Sequence, residues 1–171
     1  MPALPDVLAP GLRLVICGSA AGPHSFRRQA YYANPQNRFW TTLHAVGLTP
    51  RLFAPEEYAA LLHLGIGLTD LAKDAWGADG AAVRAAYDPA GLAARVAAAA
   101  PGILAFNGMA PARAFHGGRR LGYGRQPEGL GATQVHVLPS TSPAARGHWD
   151  IAPWRALARA VAAPPATETR A

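Results

Sequence analysis

The chain has 171 residues, half of them hydrophobic and only 15% charged, which excludes a disordered body and predicts one domain with a sizeable core. A formal net charge of +6 favours a polyanionic partner, and the single cysteine, Cys17, excludes a disulfide framework or an iron–sulfur cluster held within the chain. No apolar run approaches the ~20 residues of a membrane span and no charged-then-apolar leader is visible, so a soluble cytoplasmic protein is expected.

Residues 1–11 carry Pro2, Pro5 and Pro10 and read as an extended lead-in. Leu14-Val15-Ile16 has the composition of a buried parallel strand, stopped by Cys17-Gly18 and followed by the small-residue turn G-S-A-A-G. A basic, aromatic loop comes next, with Arg27, Arg28, Tyr31, Tyr32 and Asn34-Pro35. Asn37 offers an N-cap to a helix through Val46, whose Phe39, Trp40, Leu43 and Val46 share a face before Gly47 ends it. Pro55-Glu56-Glu57 opens a helix through Leu62. Leu64 to Leu71 is the second strand, with its polar tip at Thr69 and Asp70.

The Gly- and Ala-rich stretch 75–87 fits a loop or part of a helix. Asp88-Pro89 caps a helix to Ala100, stopped by Pro101-Gly102. Ile103 to Phe106 is the third strand, ending at Asn107-Gly108, and Ala110 to Phe115 is a short helix. Residues 116–131 read as a basic, glycine-rich surface loop, Thr133 to Leu138 as the fourth strand, and Pro139 to Trp149 as a loop of small residues. Asp150 caps a last helix, Ile151 to Val161, and the tail from Ala162 is expected to fray. Strands alternating with helices predict an α/β fold: a three-layer α/β/α sandwich around a short, mostly parallel four-stranded sheet, in a single domain spanning residues 1–171. The strand tips at Gly18, Asp70, Asn107 and Pro139 then share one rim, the edge at which open α/β sheets bind ligands.

Y-A-N-P-Q-N-R-F-W at 32–40, following G-S-A-A-G, resembles the first motif region of the uracil-DNA glycosylase superfamily, and most its mismatch-specific uracil/thymine branch. G-L-T-D-L at 67–71, I-L-A-F-N-G at 103–108 and V-L-P-S-T-S-P-A-A-R at 137–146 fall in the order of that family's later strands. The resemblance implies a monofunctional glycosylase that hydrolyses the N-glycosidic bond of uracil, or of a mismatched or modified base, in base excision repair. The implied partner is DNA containing a damaged or mismatched base, met by a monomer with no cofactor.

Such chemistry needs a pocket for a flipped nucleotide, donors for the departing base and a group that steadies the sugar cation or directs water. By resemblance, Tyr32 stacks on the base with Tyr31 as fallback, and Gly18, Ala20, Gly22, Ser25 and Asn107 line its site. Ala20 falls where the family carries a catalytic asparagine and can neither orient water nor accept a hydrogen bond. The replacement expected is Asp70, as general base or electrostatic stabiliser, with Asp74 second; an N-cap role for Asp70 and a Lys73-paired role for Asp74 are the structural alternatives. Ser140, Thr141, Ser142 and the Pro143-Ala144-Ala145-Arg146 wedge are expected on the sugar-phosphate, with Arg27, Arg28, Arg119, Arg120 and Arg125 neutralising phosphates. Scattered histidines predict no metal site. The alternatives are a catalytically inactive DNA-binding module of the same fold, and a mononucleotide-binding α/β enzyme that uses G-S-A-A-G without the usual phosphate-loop spacing.

Overall fold

A computed structural model describes residues 1–163; the frayed-tail expectation falls largely on residues 164–171, outside them, and the last helix runs to Ala162. Five strands form one sheet in the order β2-β1-β3-β5-β4: β1 Leu14–Gly18, β2 Ile66–Asp70, β3 Ile103–Asn107, β4 Gly124–Arg125 and β5 Gln134–Leu138. The first four in that spatial order are parallel and β4 is antiparallel. The sheet thus has one strand more than expected. The extra one lies inside the segment read as a surface loop, and two residues, one of them Gly124 at φ +94°, are too short to display a strand period.

The central strands are buried on both sides, so their side chains alternate between two apolar layers rather than between core and water. Leu14, Ile16, Leu68, Ile103 and Ala105 pack with α2 (Phe39–Ala45) and α6 (Ala152–Ala162) through Phe39, Trp40, Leu43, Trp154 and Leu157. Val15, Cys17, Leu104, Phe106, Val135 and Val137 face α4 (Pro89–Ala99) and α5 (Met109–Phe115) through Leu92, Val96 and Ala112. The cap anticipated at Asp88 forms, its carboxylate accepting the Gly91 N–H at 2.9 Å, whereas α2 and α6 begin one residue later than expected, after Arg38 and Ile151, and Asn37 and Asp150 lie just before those starts and accept the Phe39 and Ala152 N–H groups at 2.9 Å.

Two other segments differ from expectation. Pro23–Arg28, within the basic loop, is a six-residue helix, α1, whose polar sequence carries no apolar stripe to announce it. Pro55–Leu64 is a 3-10 helix rather than an α-helix, with Glu57 accepting the Ala54 N–H at 2.7 Å. The undecided stretch 75–87 contains a short helix, α3 (Ala81–Ala85), preceded by a backbone bridge between Trp76 and Ala21.

The lead-in has a structural task. Val7 exchanges both backbone hydrogen bonds with Leu68, at 2.9 Å each, so it covers the outer edge of β2. Gly67 permits this approach, because a Cβ there would stand 2.4 Å from the Val7 carbonyl oxygen. Among the described residues no helix is long and apolar enough to cross a membrane.

Candidate active site

The carboxyl ends of β1, β2, β3 and β5 open into a cavity of about 410 Å³. Parallel register places Gly18 directly beside Asp70, so the tips of β1 and β2 form one floor. Gly18 is required there for space: a Cβ would fall 2.7 Å from Asp70 Oδ1 and 2.9 Å from the Tyr32 hydroxyl. Gly22 is different, since a Cβ there would meet nothing within 4 Å, and its bareness widens the cavity instead.

Asp70 is 4% exposed, and no hydrogen bond from the described residues reaches its carboxylate. Its side chain caps nothing, which removes the N-cap alternative. Burial raises its pKa to about 6, with Lys73 and Arg95 opposing that rise and Asp6 and Asp79 adding to it. Behind it lies an ionic cluster recruited from the lead-in. Asp6 pairs with Lys73 at 2.9 Å and with Arg95 at 3.2 Å and accepts the Thr69 hydroxyl at 2.7 Å, while Arg95 donates to the Asp70 backbone carbonyl at 3.0 Å. The cations next to Asp70 are therefore shared with a second carboxylate, which weakens their hold on its charge. Lys73 pairs with Asp6 rather than with Asp74, and Asp74 is exposed and does not line the cavity, contrary to its place as second catalytic candidate.

The adjacent tyrosines part company. Tyr31 is 1% exposed; its ring meets Tyr58 edge-on, and its hydroxyl donates to the Pro5 carbonyl at 2.9 Å and accepts from Lys73 at 3.3 Å. It reaches the cavity wall as a core residue rather than as a free stacking face. Tyr32 has φ +52°, a left-handed conformation that costs a non-glycine residue roughly 1–2 kcal/mol. Its ring stacks on Phe39 with centroids 3.9 Å apart. The Tyr32 hydroxyl is sealed from solvent without a hydrogen-bond partner among the described residues. Burial, then the Asp70 charge, push its pKa up, so it stays protonated and available as a donor; the nearby Asn107 amide opposes that rise without completing a hydrogen bond of ordinary geometry.

Asn107 fixes a loop. Its Nδ2 donates to Thr141 Oγ1 at 2.9 Å, and its Oδ1 accepts the Thr141 N–H at 3.1 Å, both buried. That double bond to one residue ties the tip of β3 to the segment after β5. Ser140 Oγ accepts the Ser142 N–H and Ser142 Oγ accepts the Ala144 N–H, so the loop's hydroxyls set its own turns as it opens the 3-10 helix Pro143–His148. Ser140 through Ala144 line the cavity, whereas Ala145 and the exposed Arg146 lie beyond it. Ser25 is buried and accepts the Ala33 N–H at 3.1 Å, holding α1 against the tyrosine turn.

The arginines divide as well. Arg28 is engaged by Glu56 and donates to the Ala33 carbonyl at 2.9 Å, and Arg119 lies 3.5 Å from Glu128. Arg27, Arg120 and Arg125 have no ion pair among the described residues. None of the five lines the cavity. Ala20 does line it and brings no functional group.

The family model of the uracil DNA glycosylase superfamily matches residues 5–159. The chain belongs to that superfamily. The solution NMR structure of a putative uracil DNA glycosylase from Methanosarcina acetivorans is similar to it with a TM-score of 0.62 and 28% identity, over 92% of this chain and 96% of that one. Superfamily membership supports a DNA glycosylase with DNA as its partner, and the sheet flanked by helices is the fold expected of it.

Against this background the cavity also contains residues that sequence reasoning passed over: His24, Asn34, Asn37 and Asp79. Asn34 and Asn37 were legible only as turn and cap residues; their Oδ1 atoms accept the Gln36 and Phe39 N–H groups at 2.9 Å, and Asn37 lies one residue before the N-cap of α2, Arg38. Each of these bonds uses the oxygen alone, so the amide NH2 is left for the cavity. Asp79 sits in the stretch without periodicity, where no signal existed.

Proposed function

We propose that the protein is a monofunctional, monomeric glycosylase that excises uracil or a related damaged or mismatched base from DNA, using Asp70 in place of a first-loop asparagine. The observation that supports this reading most directly is a buried carboxylate without protein partners, across Gly18 from an unpartnered tyrosine hydroxyl, on one cavity. Water attacks C1′ as the C1′–N bond breaks, the base leaves with the bonding electron pair, and Asp70 accepts the water proton; its negative charge also opposes the sugar cation as it develops. The Asn34 and Asn37 amides supply donors for the departing base, and the Tyr32 ring, backed by Phe39, is the stacking surface. No step requires a cofactor.

Ala20 favours a second reading, a binding module of the same fold without catalysis, and one experiment separates the two. Purified protein is incubated with single strands and duplexes carrying uracil or hypoxanthine, and with a duplex carrying a thymine mismatch, followed by alkaline cleavage at abasic sites. Cleavage that is lost in Asp70→Asn while DNA binding is retained supports the glycosylase; no cleavage of any substrate favours the module, and unchanged excision by Asp70→Asn moves the chemistry to another residue.

A further inference from the structure

Trp76, next in sequence to the cavity-lining Gly77, has 49% of its surface exposed. It is stacked in parallel on Phe26, with centroids 4.3 Å apart and planes inclined by 1°. One face of the indole is therefore covered and the opposite face is free and flat. The position is anchored by backbone: the Gly77 N–H donates to the Ala21 carbonyl at 2.9 Å, and Gly77, Ala78 and Asp79 continue directly into the cavity wall. Arg27, exposed and without an ion pair among the described residues, follows Phe26 on α1.

The opposite end of the mouth lacks such a group. The segments after β2 and β5 lie at the two ends of the row of parallel tips, about 14 Å apart at three strand spacings. After β5 the rim carries Pro143, Ala144 and Ala145, and no bulky apolar side chain able to replace an extruded base in a duplex. Bases in an intact duplex are covered on both faces by their neighbours, so they offer nothing to an exposed indole. An unpaired base does.

We propose, resting on the glycosylase reading above, that Trp76 on its Phe26 backing is a stacking platform for an unpaired base next to the extruded nucleotide, and that the substrate is DNA single-stranded around the lesion. A base on the free indole face extends the pair to a three-ring stack, and Arg27 meets the adjoining phosphate.

The test is independent of excision. Lesion-free oligothymidylate and a duplex of equal length are titrated by fluorescence anisotropy into wild type, Trp76→Phe and Trp76→Ala, with thermal midpoints recorded. Tryptophan emission is followed in the same titrations. The single strand is expected to quench wild-type emission, with the Trp76 component of that quench missing in Trp76→Phe. Trp76→Ala should weaken single-strand binding about tenfold, leave duplex binding within twofold, and be largely rescued by Trp76→Phe, which retains a stacking ring. Equal losses on both DNAs, no loss on either, or a larger loss on the duplex would each overturn the platform. An excision-inactive wild type with the expected binding pattern would sink the glycosylase reading while leaving the platform standing.

Discussion

Replacing Asp70 by Asn should abolish excision and stabilise the protein together, and the size of the stabilisation should depend on pH in a defined direction. A carboxyl that titrates at 3.8 when unfolded and at about 6 in the fold binds its proton more tightly in the native state. Its favourable contribution is complete below pH 3.8 and disappears as pH rises through 6, leaving an ionised, buried group that costs about 3 kcal/mol at neutral pH. Asparagine is the uncharged isostere and escapes that cost. Asp70→Asn should therefore gain up to about 3 kcal/mol at pH 7.5, roughly half of that at pH 5, and nothing near pH 3.5; at neutral pH this is on the order of 6–12 °C for a chain of this size. Urea unfolding at the three pH values measures the gain. Excision in single-turnover assays should fall by about 10²–10⁴ in the variant, and wild-type rate should climb with pH to a plateau above about 6 as the carboxylate forms. A gain over wild type that is no larger at pH 7.5 than at pH 3.5, or a flat wild-type pH–rate profile between 5 and 7, would refute the assignment of an energetically costly, functional carboxylate.

Gly18→Ala places a methyl group within 3 Å of both the Asp70 carboxylate and the Tyr32 hydroxyl, so single-turnover excision should fall at least 100-fold with a stability loss of about 1–3 kcal/mol; near-normal excision would show that the two groups need not meet over β1. Asp6→Asn removes the carboxylate that shares Lys73 and Arg95 with Asp70 and lowers the Asp70 pKa, with Asp79 the remaining acidic influence. The acid limb of the pH–rate profile should move to lower pH, and a shift to higher pH would contradict the shared-cation account. Thr141→Val leaves the buried Asn107 Nδ2 without its acceptor and should cost about 1–3 kcal/mol in denaturant unfolding; a cost under about 0.5 kcal/mol would show that this bond does not hold the rim.

Much of this layout was legible because the informative elements are long and punctuated. Three apolar runs end in Gly18, Asp70 and Asn107, and the helix capped by Asp88 begins where its side chain predicts, while the one announced by Asp150 begins one residue late. What could not be read is either short or non-local. The two-residue β4 contains a single strand period and the six-residue α1 less than two helical turns, too little for a pattern to repeat. The Asp6 cluster joins a lead-in to residues 63, 67 and 89 positions away, and sequence spacing carries no trace of it. Residue type and spacing do not separate Tyr31 from Tyr32, which only the resemblance ranks; a positive φ at the second turns one ring into the core and sets the other against Phe39.

The same distinction explains how a glycosylase of this superfamily can manage with Ala20. Neighbouring parallel tips are about 4.8 Å apart, so on the proposed reading replacing an asparagine in the loop after β1 by an aspartate at the end of β2 displaces the catalytic group by little more than its own length. The register pairs Gly18 with Asp70, and the missing Cβ lets Oδ1 occupy space over β1 that any other residue would claim. Relocation then demands something of the new position that the old one did not: a carboxylate buried at a strand end must be kept ionisable. Burial lifts the titration to about 6 rather than leaving it near 4, where the group would be a much weaker base; Lys73 and Arg95 oppose that rise and keep the group ionisable, and Asp6, which shares both cations, adds to it.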